Sequence, residues 1–243
     1  MFKQRKHLFQ KADTTPKPAT LTAVIPMDFG QDGTDTLLYH ELLGKPLIVH
    51  TLLAYEQMEV LDEIIIILPE EQLKQMADLC RRYKLSKVSK LLCATNTEST
   101  SLLRAVYECD NYTQYIAMCD PKSPFVTEHL MQGLLKVAAG NGVAAPAVPV
   151  RDTIKTVENG KIVETPDRAN LHTMQGPRVI EISLCKAALT HATETQIDFM
   201  LALENMGVVF SFVKGYEENI CITSERELIV AEMVLGQWES GVR

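Results

Sequence analysis

Residues 64–68 read Ile-Ile-Ile-Ile-Leu and stop at Pro69. Successive side chains of a strand point to opposite faces, so an unbroken aliphatic run makes both faces apolar. Such a strand must be covered on both sides. A parallel sheet sandwiched between helices provides that cover. This one segment therefore predicts an α/β architecture and disfavours a surface-exposed antiparallel sheet.

The rest of the chain fits the same plan. Residues 21–26 form a short apolar run that predicts a buried first strand. Pro46 opens an apolar helical stretch through Tyr55, proline being suited to a first helical position. A helix is expected over 70–83, a strand over 88–93, a helix over 99–109, and a strand over 115–119 that ends at Asp120. Thr127 can cap the next helix with Glu128 near its positive end. That helix should bury Leu130, Leu134 and Ala138 and end at Gly140 and Gly142, with a strand returning over 143–150. Near the C-terminus, Ser224 and Glu227 form a capping-box pattern before a helix with Leu228, Ala231 and Leu235 on one face. Strand and helix alternate as they do in a doubly wound, mostly parallel sheet.

One segment departs from this alternation. In residues 151–165 the pair Asn159-Gly160 separates Thr153-Ile154-Lys155-Thr156-Val157 from Lys161-Ile162-Val163. Asn-Gly between β-branched stretches predicts a tight hairpin. A protruding β-arm at about 150–170 follows. A lone hairpin is marginal in water, so it should pack on something, most simply a second copy of the chain.

Composition narrows the function classes. The formal net charge is -7 and hydrophobic residues make up 46% of the 243 positions. An acidic chain without a long basic run is a poor nucleic-acid binder. No apolar run reaches the length of a membrane span. The cysteines at 80, 93, 109, 119, 185 and 221 include no C-x-x-C pair, and several lie in apolar runs, so reduced thiols in a cytoplasmic protein are expected. Residues 1–20 carry Lys3, Arg5, Lys6, Lys11 and Lys17 and are expected to be a flexible basic tail. The six histidines show no metal-ligand spacing, and His50, on an apolar helix, reads as a satisfied core residue.

Beyond these general features, the arm carries a specific wording. Val150-Arg151-Asp152-Thr153-Ile154-Lys155 and Val163-Glu164-Thr165-Pro166-Asp167-Arg168 resemble the arm of the 2-C-methyl-D-erythritol 4-phosphate cytidylyltransferase family. Ala23-Val24-Ile25-Pro26, Glu41-Leu42-Leu43-Gly44-Lys45-Pro46, Asp62-Glu63-Ile64 and Glu218-Asn219-Ile220 are similar to that family in the same order. The resemblance runs from about Leu21 to Leu235. It implies a Rossmann-like nucleotidyltransferase fold over 21–243 and a homodimer with crossed arms. It also implies a reaction of isoprenoid biosynthesis, in which CMP from CTP is joined to a sugar-alcohol phosphate with magnesium as the metal. A related ribitol-phosphate family shares the fold, but the Glu-Thr-Pro-Asp-Arg wording points to the erythritol enzyme.

Such a reaction brings two polyanions together, so its site needs cations and N–H donors. The resemblance assigns Asp120 to metal and nucleotide and Thr153 and Arg168 to the acceptor phosphate across the dimer. Ser101 keeps the serine of the cytosine-contacting segment, although a helix-start serine also caps. Elsewhere the sequence departs from the family. The loop after the first strand, Met27-Asp28-Phe29-Gly30-Gln31-Asp32-Gly33-Thr34-Asp35-Thr36, has no Lys or Arg and three aspartates. Gly30 and Gly33 permit a phosphate-binding turn or merely a solvated loop. The family's arginine after the Asp120 strand is Ser123, with Lys122 as a substitute cation. Its threonine before Pro177 is Gly176. The lysine of its C-terminal strand is Cys221, and Lys214 is the nearest alternative in sequence. The expectation is a cytidylyltransferase with impaired or lost activity. The alternatives are a non-catalytic dimeric binding or regulatory protein on the same fold, and an enzyme for a less anionic ligand.

Overall fold

The computed structural model describes residues 20–27 and 37–239. The expected basic tail and the loop carrying Gly30 and Gly33 lie outside the described residues. In chain order the elements are β1 (Leu21–Pro26), β2 (Glu41–Leu42), β3 (Lys45–Pro46), α1 (Leu47–Glu56), β4 (Glu63–Leu68), α2 (Leu73–Tyr83), β5 (Val88–Cys93), α3 (Glu98–Glu108), β6 (Tyr115–Met118) and α4 (Glu128–Asn141). They continue with β7 (Val143–Pro149), β8 (Thr156–Glu158), β9 (Lys161–Glu164), β10 (His172–Met174), β11 (Arg178–Glu181), α5 (Ile182–Thr195), α6 (Phe199–Asn205), β12 (Ser211–Lys214) and α7 (Glu225–Glu239).

The aliphatic run is β4, and every residue of it is buried. Its side chains divide between two cores as the strand period requires. Ile64, Ile66 and Leu68 join one cluster with Ile48, Leu52 and Tyr55 of α1, Met76 of α2 and Leu130, Met131 and Leu134 of α4. Ile65 and Ile67 join the other with Leu102 and Val106 of α3, Cys185 and Leu189 of α5 and Leu203 of α6. Each fully buried aliphatic chain contributes about 2 kcal/mol relative to exposure, so this strand pins both helical layers. At its start, Glu63 is buried yet satisfied. Thr22 Oγ1 and the Asp110 amide donate to it at 3.2 and 3.1 Å, and Ser89 Oγ donates at 2.5 Å.

The sheet runs β5-β4-β1-β6-β11-β7, with β12 pairing parallel on the outer edge of β7. β5, β4, β1 and β6 are parallel. β11 is antiparallel to both β6 and β7, and β10 continues beside β7 in the same sense. Met174 pairs with Ala147 and Val179 with Ala144, so five steps on one strand match three on the other. The excess bulges around Gly176-Pro177, whose peptide bond is cis.

Several local expectations need adjustment. Pro46 is the N-cap of α1 and not its first residue. The helix expected over 70–83 begins as a 3₁₀ turn at Glu70–Gln72 before α2. Gly140 lies inside α4, while Gly142, at φ 82°, ends it. Thr127 caps α4 as expected, accepting from the Leu130 amide at 3.3 Å. The Glu227 carboxylate reaches the amide of Thr223 at 2.7 Å and not that of Ser224, so the capping box is displaced by one residue. The hairpin turn is as the sequence demands, with Asn159 at φ 49° and Gly160 at φ 75°. Pairing in the arm begins only at Thr156, leaving 153–155 outside the ladder. His50 is buried, with Nε2 2.7 Å from the Leu42 carbonyl. Among the described residues no helix is long and apolar enough to cross a membrane.

Candidate active site

From β1 the chain builds outward through β4 to β5, then returns to place β6 on the other side of β1. The gap above the carboxyl ends of β1 and β6 is a topological switch point, where open α/β sheets bind ligands. Asp120 stands there, immediately after β6. Its Oδ1 accepts from the Lys122 amide at 2.8 Å, and its carbonyl accepts from the Ser123 amide at 3.3 Å. The 120–123 turn is thereby folded around the carboxylate. Ser123 is buried, at 4% exposure, where a charged side chain would need a partner.

The C-terminal segment closes on this turn. The Ile222 amide donates to the Lys122 carbonyl at 2.9 Å. This puts the Cys221 thiol beside Asp120, Lys122 and Ser123. Burial first, then the Asp120 carboxylate, push the thiol up to about 12. Cys221 is therefore uncharged near neutral pH and supplies no cation. Below it, Cys119 is also pushed up to about 12 by burial. The phenol of Tyr55, fully buried and raised well above its ordinary value mainly by desolvation, lies against the Cys119 thiol and near Asp120.

Tyr216 and Gln175 hold the closing segment in place, and sequence reasoning singled out neither. The Tyr216 hydroxyl donates to the Phe125 carbonyl at 2.6 Å and accepts from the Thr127 amide at 3.1 Å, tying the segment to the start of α4. Gln175 Nε2 donates to the carbonyls of Tyr216 and Asn219, both at 2.9 Å. Asn219 Nδ2 donates to the carbonyl of Gly176 at 2.7 Å. These contacts join residues 41 to 91 apart in sequence, so no local pattern could have revealed them.

The remaining expected site residues fall elsewhere. Ser101 is 1% exposed, and its hydroxyl is engaged within the fold. It donates to the Thr97 carbonyl at 2.9 Å and accepts from the Thr95 amide at 2.8 Å, while Thr97 is the actual cap of α3. Thr153 and Arg168 lie exposed at the arm, and among the described residues no hydrogen bond or ion pair joins them to Asp120. Arg168 Nη1 donates to the Arg151 carbonyl at 2.8 Å. A cleft of about 470 Å³ at the arm base is lined by Pro149, Val150, Asp167, Arg168, Ala169 and His172. Lys214 is exposed on β12, paired with Ala147.

A doubly wound sheet with a carboxylate at its switch point is an arrangement that ligand-binding open α/β proteins share. The comparisons with known proteins are more specific. The family model described as 2-C-methyl-D-erythritol 4-phosphate cytidylyltransferase matches residues 31–237. The curated protein of that name from Halalkalibacterium halodurans is 31% identical over 202 residues, covering 82% of this chain and 88% of the relative. Its counterpart from Alkaliphilus metalliredigens is 31% identical over 209 residues, covering 84% and 86%. The solved 4-diphosphocytidyl-2C-methyl-D-erythritol synthase from Anaerococcus prevotii superposes with a TM-score of 0.78 at 20% identity, covering 90% of this chain and 97% of that one. The chain belongs to the 2-C-methyl-D-erythritol 4-phosphate cytidylyltransferase family.

Proposed function

We propose that the protein is a homodimeric cytidylyltransferase of isoprenoid biosynthesis with a weakened hold on its triphosphate. CTP occupies the switch point and 2-C-methyl-D-erythritol 4-phosphate occupies the arm cleft. An oxygen of the acceptor phosphate attacks the α-phosphorus of CTP. The bond to the β-phosphate breaks, and pyrophosphate leaves with the electron pair. Thr153 and Arg168 hold the acceptor phosphate, Arg168 being suited to a two-point grip. The arm carries them to the other subunit, and Val157 and Ile162, a directly paired and exposed couple, give it an apolar contact face.

Magnesium fits this site as a substrate-borne ion. Among the described residues no group of three or more His, Cys, Asp or Glu side chains could cage a metal. Mg²⁺ usually takes one or two protein carboxylates and completes its shell with phosphates and water, and Asp120 would serve as that ligand. When bound, the ion would neutralise charge on the triphosphate.

The observation that carries the weakened hold is Cys221, a neutral thiol next to Asp120 where the family has a lysine. Loss of one preorganised charge contact costs roughly a hundredfold in rate. The same observation favours a second reading, a dimeric binding protein that has ceased catalysis.

Pyrophosphate release with CTP, Mg²⁺ and 2-C-methyl-D-erythritol 4-phosphate separates the two. Slow, acceptor-dependent release supports the weakened enzyme. Acceptor binding without release supports the binding protein. Turnover at an ordinary enzyme rate of about 10 per second rejects the weakened hold, and binding of neither substrate rejects both readings.

A further inference from the structure

The arm-base cleft holds a second nitrogen base besides Arg168. His172 lines the same cavity. Its ring lies nearly parallel to that of Phe212, with centroids 6.3 Å apart and planes 13° apart. A ring held flat by its neighbour presents its nitrogens at the edge, and within the described residues neither nitrogen is taken up by a hydrogen bond. We propose that His172, once protonated, is a second cation for the acceptor's phosphate, so that acceptor affinity rises as pH falls through the imidazole range. The inference rests on the arm cleft being the acceptor site.

The charged groups around the ring set the balance. From the 3₁₀ turn Arg168–Asn170 and its cap come Arg168 and Asp167. From β12 comes Lys214: it pairs with Ala147 as His172 pairs with Pro149, and those two residues of β7 share a face. Arg151, nearby in sequence, is ion-paired with Glu217. A bound phosphomonoester brings about -1.5 to -2 charges at pH 7 and favours the imidazolium. Binding and protonation are therefore linked: each strengthens the other. A histidine is suited to such a role because its unperturbed titration falls near physiological pH.

The test is calorimetric titration of the full chain with 2-C-methyl-D-erythritol 4-phosphate at pH 5.5 and pH 8.0. The ligand titrates in this range too, so wild type is compared with His172→Gln at each pH. The variant should bind about tenfold more weakly at pH 5.5 and like wild type at pH 8.0. It should also lack the extra proton uptake that wild type shows in buffers of differing ionisation enthalpy. His172→Lys should keep tight binding at both pH values. Equal affinities for wild type and His172→Gln at both pH values would overturn the proposal. So would an equal loss at both, which would mark a packing role. Arg168→Ala keeps the two readings apart. If it weakens binding while His172→Gln does not, only the histidine proposal fails. If Arg168→Ala is silent, or wild type does not bind, the acceptor-cleft reading fails with it.

Discussion

The amide of Ile222 donates to the carbonyl oxygen of Lys122 across 2.9 Å, and this one bond sets residue 221 against Asp120. A long side chain placed there would extend over the switch point with its backbone already anchored. Cys221→Lys should therefore restore a cation without refolding the segment. Acceptor-dependent pyrophosphate release should rise by roughly tenfold or more, a lost charge contact of this kind being worth up to about a hundredfold. Cys221→Met, equally long but neutral, is the control and should leave the rate at the wild-type level. Equal rates for both variants would show that charge at this position is not what limits the reaction.

Gly215 permits the closing segment to pass close to β7 and to Gln175, the residue that follows β10. A Cβ built on it would lie 2.1 Å from Gln175 Oε1 and 3.1 Å from Val148 Cγ1. Gln175 cannot easily move aside, because its Nε2 donates to both Tyr216 and Asn219. Gly215→Ala should cost about 2 kcal/mol by overpacking and loss of those bonds, read as a lower denaturant midpoint. Its effect should shrink in a Gln175→Ala background, since the two changes strike the same contact. Additive losses would place the cause elsewhere.

The proposed dimer depends on an apolar couple at the arm. Val157 and Ile162 are 57% and 65% exposed and face the same side as a direct cross-strand pair. Ile162→Asp should yield a monomer by analytical ultracentrifugation at micromolar concentration, with unchanged far-ultraviolet circular dichroism because the pair touches no core. A wild-type chain that sediments as a monomer would remove the dimer altogether.

What the sequence revealed depended on how locally each feature is encoded. β4 was readable because five apolar residues in succession leave no exposed face, and the hairpin because Asn159 and Gly160 both adopt positive φ. The antiparallel strands β10 and β11 were not readable. His172, Thr173 and Met174 show no apolar alternation, and Gln175-Gly176-Pro177 looks like a turn although it is the bulge that joins two strands paired with the same neighbour, β7. The position of Asp120 just past a strand was legible from the apolar run 115–119 that precedes it. The neutral environment of Cys221 arises from burial and from neighbours about a hundred residues away in the chain, and only the folded arrangement displays it.

Buried thiols also give the protein an alkaline limit. Burial pushes Cys119, which is 3% exposed, up to about 12, and raises the fully buried Cys185 as well. In the unfolded chain both thiols ionise near 8.5. Below that pH both states hold the proton and stability is unaffected. Above it the unfolded state gains thiolates that the folded state refuses, so stability falls as pH rises from about 8.5 toward 12. The slope is about 1.4 kcal/mol per pH unit for each such thiol. Urea unfolding at pH 8 and pH 10 should show the decline. Cys119→Ala, less stable at pH 8 because it leaves a small cavity, should lose less stability than wild type between those two pH values. Parallel declines for the two proteins would mean that the Cys119 thiol ionises in the folded state as readily as in water, and that it lies closer to solvent than its packing against Tyr55 implies.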